Sequence, residues 1–502
     1  MIVSATRTAI GTLGGALAQT PATKLGGVVV REAMRRARLE PSQVDEVILG
    51  HVLPAGLGLN PGRVAALDGG VPKEVPSFTV NKACGSGLKA VVLAAQAIQL
   101  GDAEVIVAGG MESMSGAPYI LKKARFGIRL GHDEILDSMI ADGLTCPITF
   151  VHMGITAENI ASKYGISRNE QDEFAAESQQ KTAAAQQGGK FKTEIVPVEI
   201  PAKKGETLRF ETDEHPRADT TAQRLAALKP AFKKEGGSVT AGNASGINDG
   251  AAAVVVMSDR KAKELRLTPL ATIRAYASAG VDPSIMGMGP WPAAEKALAR
   301  AKLRREEIDL WELNEAFAAQ SLGVLRELHI PKNRVNVHGG AIALGHPIGE
   351  SGARVLVTLL HAMADRDARL GVASLCIGGG RGSPWSPSAP DPPWPSPHSS
   401  TSTARSSRAT PPRSTCAICV GPDRRGGATW RAPSTTSGAT SWGSSTSSGR
   451  WQSRSAGSAG ARRRRCVPIA SRGTGASSGA TCAPPWPRPS RRTGGPATCP
   501  SS

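Results

Sequence analysis

The sequence predicts an α/β fold of two similar halves, in which buried strands are covered by helices on both faces and a long insertion interrupts the plan. Three observations carry this. Short β-branched runs alternate with Ala- and Leu-rich stretches over the first 382 residues, most of those runs are apolar almost throughout, and one strand, turn, helix, strand order occurs twice. Such alternation places strands between helices, and strands without polar alternation are those buried on both faces.

Taken in order, MIVSATRTAIG opens as a strand followed by a turn, and further strands are expected at 44–50, 77–81, 103–110, 251–258, 270–278, 308–314, 334–338 and 371–379. In the first unit SFTVN runs through CGSG into the helix LKAVVLAAQAIQLG and the strand AEVIVAGG. In the second, RVNVH runs through GGAIALGHPIGESG into ARVLVTLLHAM and GVASLCIGGG. Duplicated halves facing each other put a reactive group at a helix start in one half opposite its partners in the other. Between 114 and 243 the texture shifts to Lys, Glu, Asp and Gln, with helical segments such as TAENIASKYG. A connection so long inside a compact domain is usually functional, so it is read as a lid or substrate-binding face. The expected domains are 1–116 with 244–265, the insertion 117–243, the second half 266–382, and a low-complexity tail 383–502.

Composition divides at the same place. Of 60 Lys plus Arg and 42 Asp plus Glu, the tail holds 16 Arg, no Lys, two Asp and no Glu, so it carries +14 of the net +18. The near-neutral body asks for no nucleic acid or anionic membrane, while its small positive excess suits a substrate bearing phosphates. The arginine run ARRRRC at 461–466 offers a nucleic-acid-binding alternative, but it lies in no repeat. The body's three cysteines, Cys84, Cys146 and Cys376, fit a reducing compartment. No leader and no run of 18 consecutive apolar residues is visible, so a soluble cytoplasmic protein is expected. In the tail Lys and Glu vanish while Arg, Pro, Ser and Trp rise, and no periodicity survives. It reads as an out-of-frame translation, disordered, that replaces the strand expected after CIGGGRG.

Four blocks carry chemistry. In NKACGSG, Cys84 stands where a buried strand turns into a helix; orphan NH groups and the helix dipole there lower a thiol's pKa and can later hold an oxyanion. In NVHGGAIALGHPIGESGAR, His338 and His346 sit among small residues, and a neutral imidazole near a thiol can take its proton. In SLCIGGGRG, Cys376 ends an apolar strand, where it suits a base acting on the carbon beside a thioester. In WELNEAFAAQ, Asn314 and Glu315 end a strand, where an amide can position a water or carbonyl. No CxxC or HExxH accompanies the body's histidines, and Cys416 and Cys419 lack a second pair at metal spacing, so no metal is expected.

These blocks, with SATRTAIG, AGGMESMS, HMGITAENIA and VTAGNASGINDGAA, resemble the thiolase family from residue 2 to about residue 382, most closely its biosynthetic acetyl-CoA acetyltransferase branch. The resemblance implies a five-layered αβαβα fold with an inserted loop domain, assembled as a dimer of dimers. It implies reversible condensation of two acetyl-CoA to acetoacetyl-CoA, with coenzyme A thioesters as substrates and no cofactor. A thiolase of broader chain length in fatty acid β-oxidation is the alternative. On this resemblance Cys84 takes the acyl group, His346 activates it and Cys376 is the acid/base. One oxyanion hole comes from His346 with a water on Asn314, the other from the NH groups of Cys84 and Gly378. His152 and Met153 line the pantetheine and acyl pocket, Ser245 meets the pantetheine arm, and Ala316 with Phe317 forms the floor. Glu350 departs from the family's usual small residue, and is expected either to raise the pKa of His346 or to point to solvent.

Overall fold

The structure, a computed structural model, describes residues 1–201, 205–379 and 415–421, all within the unit Met1–Ser434. Strands β1 (Ile2–Thr8), β2 (Glu46–Gly50), β3 (Ser77–Val80), β4 (Val105–Ser113), β5 (Ile195–Val196) and β6 (Asn248–Met257) form one sheet in the order β3-β2-β4-β6-β1-β5. A second sheet holds β7 (Thr272–Ala279), β8 (Leu310–Leu313), β9 (Gly371–Leu375) and β10 (Thr415–Gly421) in the order β7-β10-β9-β8. β2 runs parallel to both β3 and β4, and β8 parallel to β9. Parallel neighbours need long crossovers, which is where the helices enter.

Side-chain alternation along the strands sets the layers. On β6, Ala251, Ala253 and Val255 pack with Leu25 and Val29 of helix α1 (Ala22–Arg36). Ala252, Val254 and Val256 face the other way, onto Leu88 and Val91 of α2 (Ser86–Leu100) and Val355 and Leu359 of α3 (Ser351–Asp365). On β10, Ile418 and Val420 close that same middle core, while Ala417 and Cys419 pack outward with Ala293 and Ala297 of the helix Pro290–Ala301 and Leu322 of the helix Ala318–Leu328. Helix, sheet, helix pair, sheet, helix gives the five expected layers. The inserted region is tied to β1 by Arg7, whose fully buried guanidinium donates to Glu194 Oε1 at 2.6 Å and to both oxygens of Asp213 at 2.7 and 2.9 Å.

Two expectations need correction. The second sheet is not left open: TCAICVG, from within the presumed featureless tail, is antiparallel to both β7 and β9. Its short apolar run was lost in a 120-residue average. The remainder of the tail, and with it the rest of the expectation of disorder, lies outside the described residues. At 334–338 there is no strand; Asn336 has a left-handed φ of 45°. Its amide donates to Leu313 O and accepts from Leu313 N, both at 2.8 Å, doing by side chain what a ladder would do. The expectation of no 18 consecutive apolar residues holds, although Ala83–Leu100, at a mean hydropathy of 1.3 over 18 residues, is long and apolar enough to cross a membrane by length and composition alone. Half of it is buried inside the protein, where α2 is the central helix, and Lys89 and Gln96 interrupt its apolar run.

Candidate active site

The two central helices bring the reactive groups together because they begin beside each other. A Cβ on Gly87 would stand 2.7 Å from Ala353 N, and one on Gly352 would stand 2.5 Å from Leu88 N, so the helix starts cross where neither has a side chain. Just before α2, the turn bearing Cys84 is held in an unusual shape. Ala83 has a left-handed φ of 46°, a strained state for a residue with a Cβ. Ser86 Oγ fixes it, accepting from Lys82 N at 2.8 Å and donating to Ala83 O at 2.7 Å.

The Cys84 sulfur faces the backbone NH groups of Gly378 and of Cys84 itself. The thiol is nevertheless pushed up to about 11, first by burial and further by the charge of Glu112, with the two NH groups opposing. This corrects the expectation of a lowered pKa: desolvation outweighs the helix start, and the resting sulfur keeps its proton. His346 lines the same cavity, with burial, and then the nearby Arg354, driving its pKa down to about 3, so the imidazole is neutral. Its Nδ1 lies 2.7 Å from Ser351 Oγ, whose hydroxyl donates to Pro347 O at 2.8 Å. Ser351 then accepts from Nδ1–H, which leaves the Nε2 lone pair free. Asn314 Nδ2 lies 3.4 Å from both ring nitrogens.

Cys376 follows β9 and is almost fully buried; burial, with Cys84 close by, pushes its thiol up. Its neighbour Ile377 packs on the Cys84 turn, since a Cβ on Gly85 would stand 2.4 Å from Ile377 Cδ1. Cys84, His346 and Cys376 line one cavity of about 940 Å³, together with His152, Met153, Ser245, Ala316 and Phe317. His152 caps the helix Met153–Tyr164, its Nδ1 accepting from Gly154 N at 3.1 Å, and stacks on Phe232 with ring centroids 4.8 Å apart. Ser245 N donates to Ala316 O at 3.0 Å, joining the segment just after the insertion to the one that leads into the helix Ala318–Leu328. The exposed Arg217 and Arg224 line the same cavity from the insertion, with Arg224 paired to Asp219, which also lines it. Among the described residues no group of three His, Cys, Asp or Glu is placed to hold a metal ion.

Two residues of the sequence reading stand elsewhere. His338 is outside the cavity, its Nε2 3.6 Å from Asp365 Oδ2. Glu315 turns away from Asn314 and accepts from Ser178 Oγ at 2.6 Å and Asn336 Nδ2 at 2.8 Å, a structural crosslink. Glu350 does neither thing expected of it. It is fully buried, both oxygens lack a hydrogen-bond partner within the protein, and Oε2 would stand 2.6 Å from a Cβ on Gly250. Sequence reading missed Ser351, Phe232 and Asn248, whose Oδ1 accepts from His346 N at 3.0 Å. Only Ser351, five residues after His346, carried a local signal.

Comparison with known proteins gives the family. Residues 1–260 match the family model described as Thiolase, N-terminal domain, and residues 267–385 match Thiolase, C-terminal domain. The acetyl-CoA acetyltransferase of Pseudomonas aeruginosa is 62% identical over 382 residues, 76% of this chain and 97% of that protein. That of Cupriavidus necator is 59% identical over the same shares. The crystal structure of the Bacillus anthracis acetyl-CoA acetyltransferase superposes with a TM-score of 0.75 at 45% identity, covering 84% of this chain and 98% of that one. Strand β10 lies beyond the span of the family models.

Proposed function

The chain belongs to the thiolase family, and from that premise we infer that it is an acetyl-CoA acetyltransferase, condensing two acetyl-CoA to acetoacetyl-CoA and CoA in a reversible Claisen reaction. The observation that carries this is the convergence of two protonated thiols and one neutral imidazole, from three separate segments, on a single cavity. His346 Nε2 takes the proton from Cys84 as its sulfur attacks the thioester carbonyl. The oxyanion is held where the NH groups of Cys84 and Gly378 already point at the sulfur. Collapse releases CoA as a thiolate, which takes a proton from Cys376. The Cys376 thiolate then removes the α-proton of a second acetyl-CoA, with the enolate oxygen beside His346 and a water on Asn314. The carbanion attacks acetyl-Cys84, forming the new carbon-carbon bond and returning the sulfur.

Under this reading acyl-CoA thioesters are substrates, and the chemistry asks for no metal, nicotinamide or flavin. We extend the proposal to a cytoplasmic homo-oligomer, a dimer of dimers, supported by exposed apolar side chains such as Leu59, Phe126 and Leu130 that a subunit contact would cover. Two measurements test the reaction. Acetyl-CoA should leave an acetyl group on the peptide bearing Cys84, and thiolysis should favour acetoacetyl-CoA over a long-chain 3-ketoacyl-CoA. A stable acetyl only on Cys376 or Cys146 overturns the nucleophile, and a long-chain preference overturns the substrate.

A further inference from the structure

Behind the cavity lies a buried carboxylate that the reaction above does not use. Glu112, near the end of β4, is fully buried. Its Oε2 accepts from Gly349 N at 3.0 Å and from Val52 N at 3.0 Å, and Oε1 lies 2.9 Å from Nε2 of the equally buried His51, outside hydrogen-bond geometry. Gly349 belongs to the loop of His346. A Cβ there would stand 2.7 Å from Glu112 Oε2 and 2.6 Å from Met111 O, so the loop is pressed against the strand. Val52 and Ile348, on either side of the carboxylate, belong to a small apolar cluster against which Cys84 packs. One side chain thus touches the histidine loop and the wall behind the cysteine. A buried acceptor of two backbone NH groups holds both segments strongly, because each NH would otherwise lack a partner.

We propose that Glu112 is a positioning residue for acyl transfer: its carboxylate clamps the His346 loop at Gly349 to the Val52 segment, so that imidazole and Cys84 keep one fixed separation. The proposal rests on the acyl-transfer reading, and its test is chosen to separate the two. In the full chain, Glu112→Gln removes the charge and leaves the two NH groups on one neutral, weaker acceptor, whereas Gly349→Ala forces the clamp apart and leaves the charge. Circular dichroism confirms folding. Single-turnover acetylation by acetyl-CoA should fall about ten- to a hundred-fold in both variants at unchanged KM, as small misplacements of reacting groups do. Alkylation of Cys84 by iodoacetamide, followed against pH by peptide mass spectrometry, should move to lower pH in Glu112→Gln only, because the charge that opposes the thiolate is gone. Wild-type acetylation rates in both variants, or an unmoved alkylation profile in Glu112→Gln, overturn the proposal. So does failure of both to fold, which would make the clamp a folding element. A wild-type chain that acetyl-CoA does not acetylate sinks the acyl-transfer reading instead, and the alkylation profiles still decide the clamp.

Discussion

Replacing Glu350 with Gln should stabilise the protein at pH 8 and change it little near pH 5. The carboxyl is fully buried and unpartnered, and burial raises it from 4.5 to about 8; Arg7 and Arg354 oppose the shift, while Asp213 and Glu194 add to it. Those guanidiniums are already engaged, Arg7 by Glu194 and Asp213 and Arg354 by Glu312. The sign follows from linkage. Above pH 4.5 the unfolded chain releases this proton while the folded chain keeps it, so stability is lost as pH rises toward 8 and levels off beyond. At about 1.4 kcal/mol for each pH unit, the window amounts to at most about 5 kcal/mol, against a typical domain stability of about 5 to 15 kcal/mol. Gln has the same shape and no proton to release. Denaturant unfolding of both proteins at one concentration and at pH 5, 6.5 and 8 should show the advantage of Gln growing with pH, other titrations cancelling between them. An advantage equal at all three values, or a Gln variant less stable at pH 8, would refute the reasoning.

Cys376→Ser should still acetylate Cys84 yet lose exchange of acetyl α-protons with solvent deuterium by on the order of 10² to 10⁴, because carbon deprotonation is not needed to form the acyl-enzyme; wild-type exchange would contradict the assignment. Ser351→Ala frees the Nδ1 side of His346 and should slow Cys84 acetylation by about a hundred-fold, the low end for a positioned base, with folding unchanged by circular dichroism. Ile418→Asp puts a charge into the middle core, which costs several kcal/mol. Limited proteolysis should then open the second sheet, whereas Ile418→Val costs about 1 kcal/mol and should leave it closed.

What the sequence revealed was local and what it hid was tertiary. Cys84, His346 and Cys376 were legible because each sits in a glycine-rich turn at the end of an apolar run, where only backbone approach explains so many small residues. The burial of β4 and β6 along their whole length and the two-fold plan were legible for the same reason, being written within ten or fifteen neighbouring residues. Glu112 was not, since Gly349 lies 237 positions away, and Glu315 and Asn314 look alike until one turns to His346 and the other to Ser178. Even β10 was hidden only by averaging: the short apolar run at 416–420 vanishes in a long segment of Ser, Pro and Arg. The thiol of Cys84 shows why the difference matters for chemistry. Its helix start is visible in sequence and argues for a thiolate, but burial is a property of the assembled cavity and reverses the sign. Under the proposed reaction a protonated nucleophile requires a base, a part that falls to the neutral imidazole of His346, whose loop is fixed by bonds to Asn248, Ser351 and Glu112.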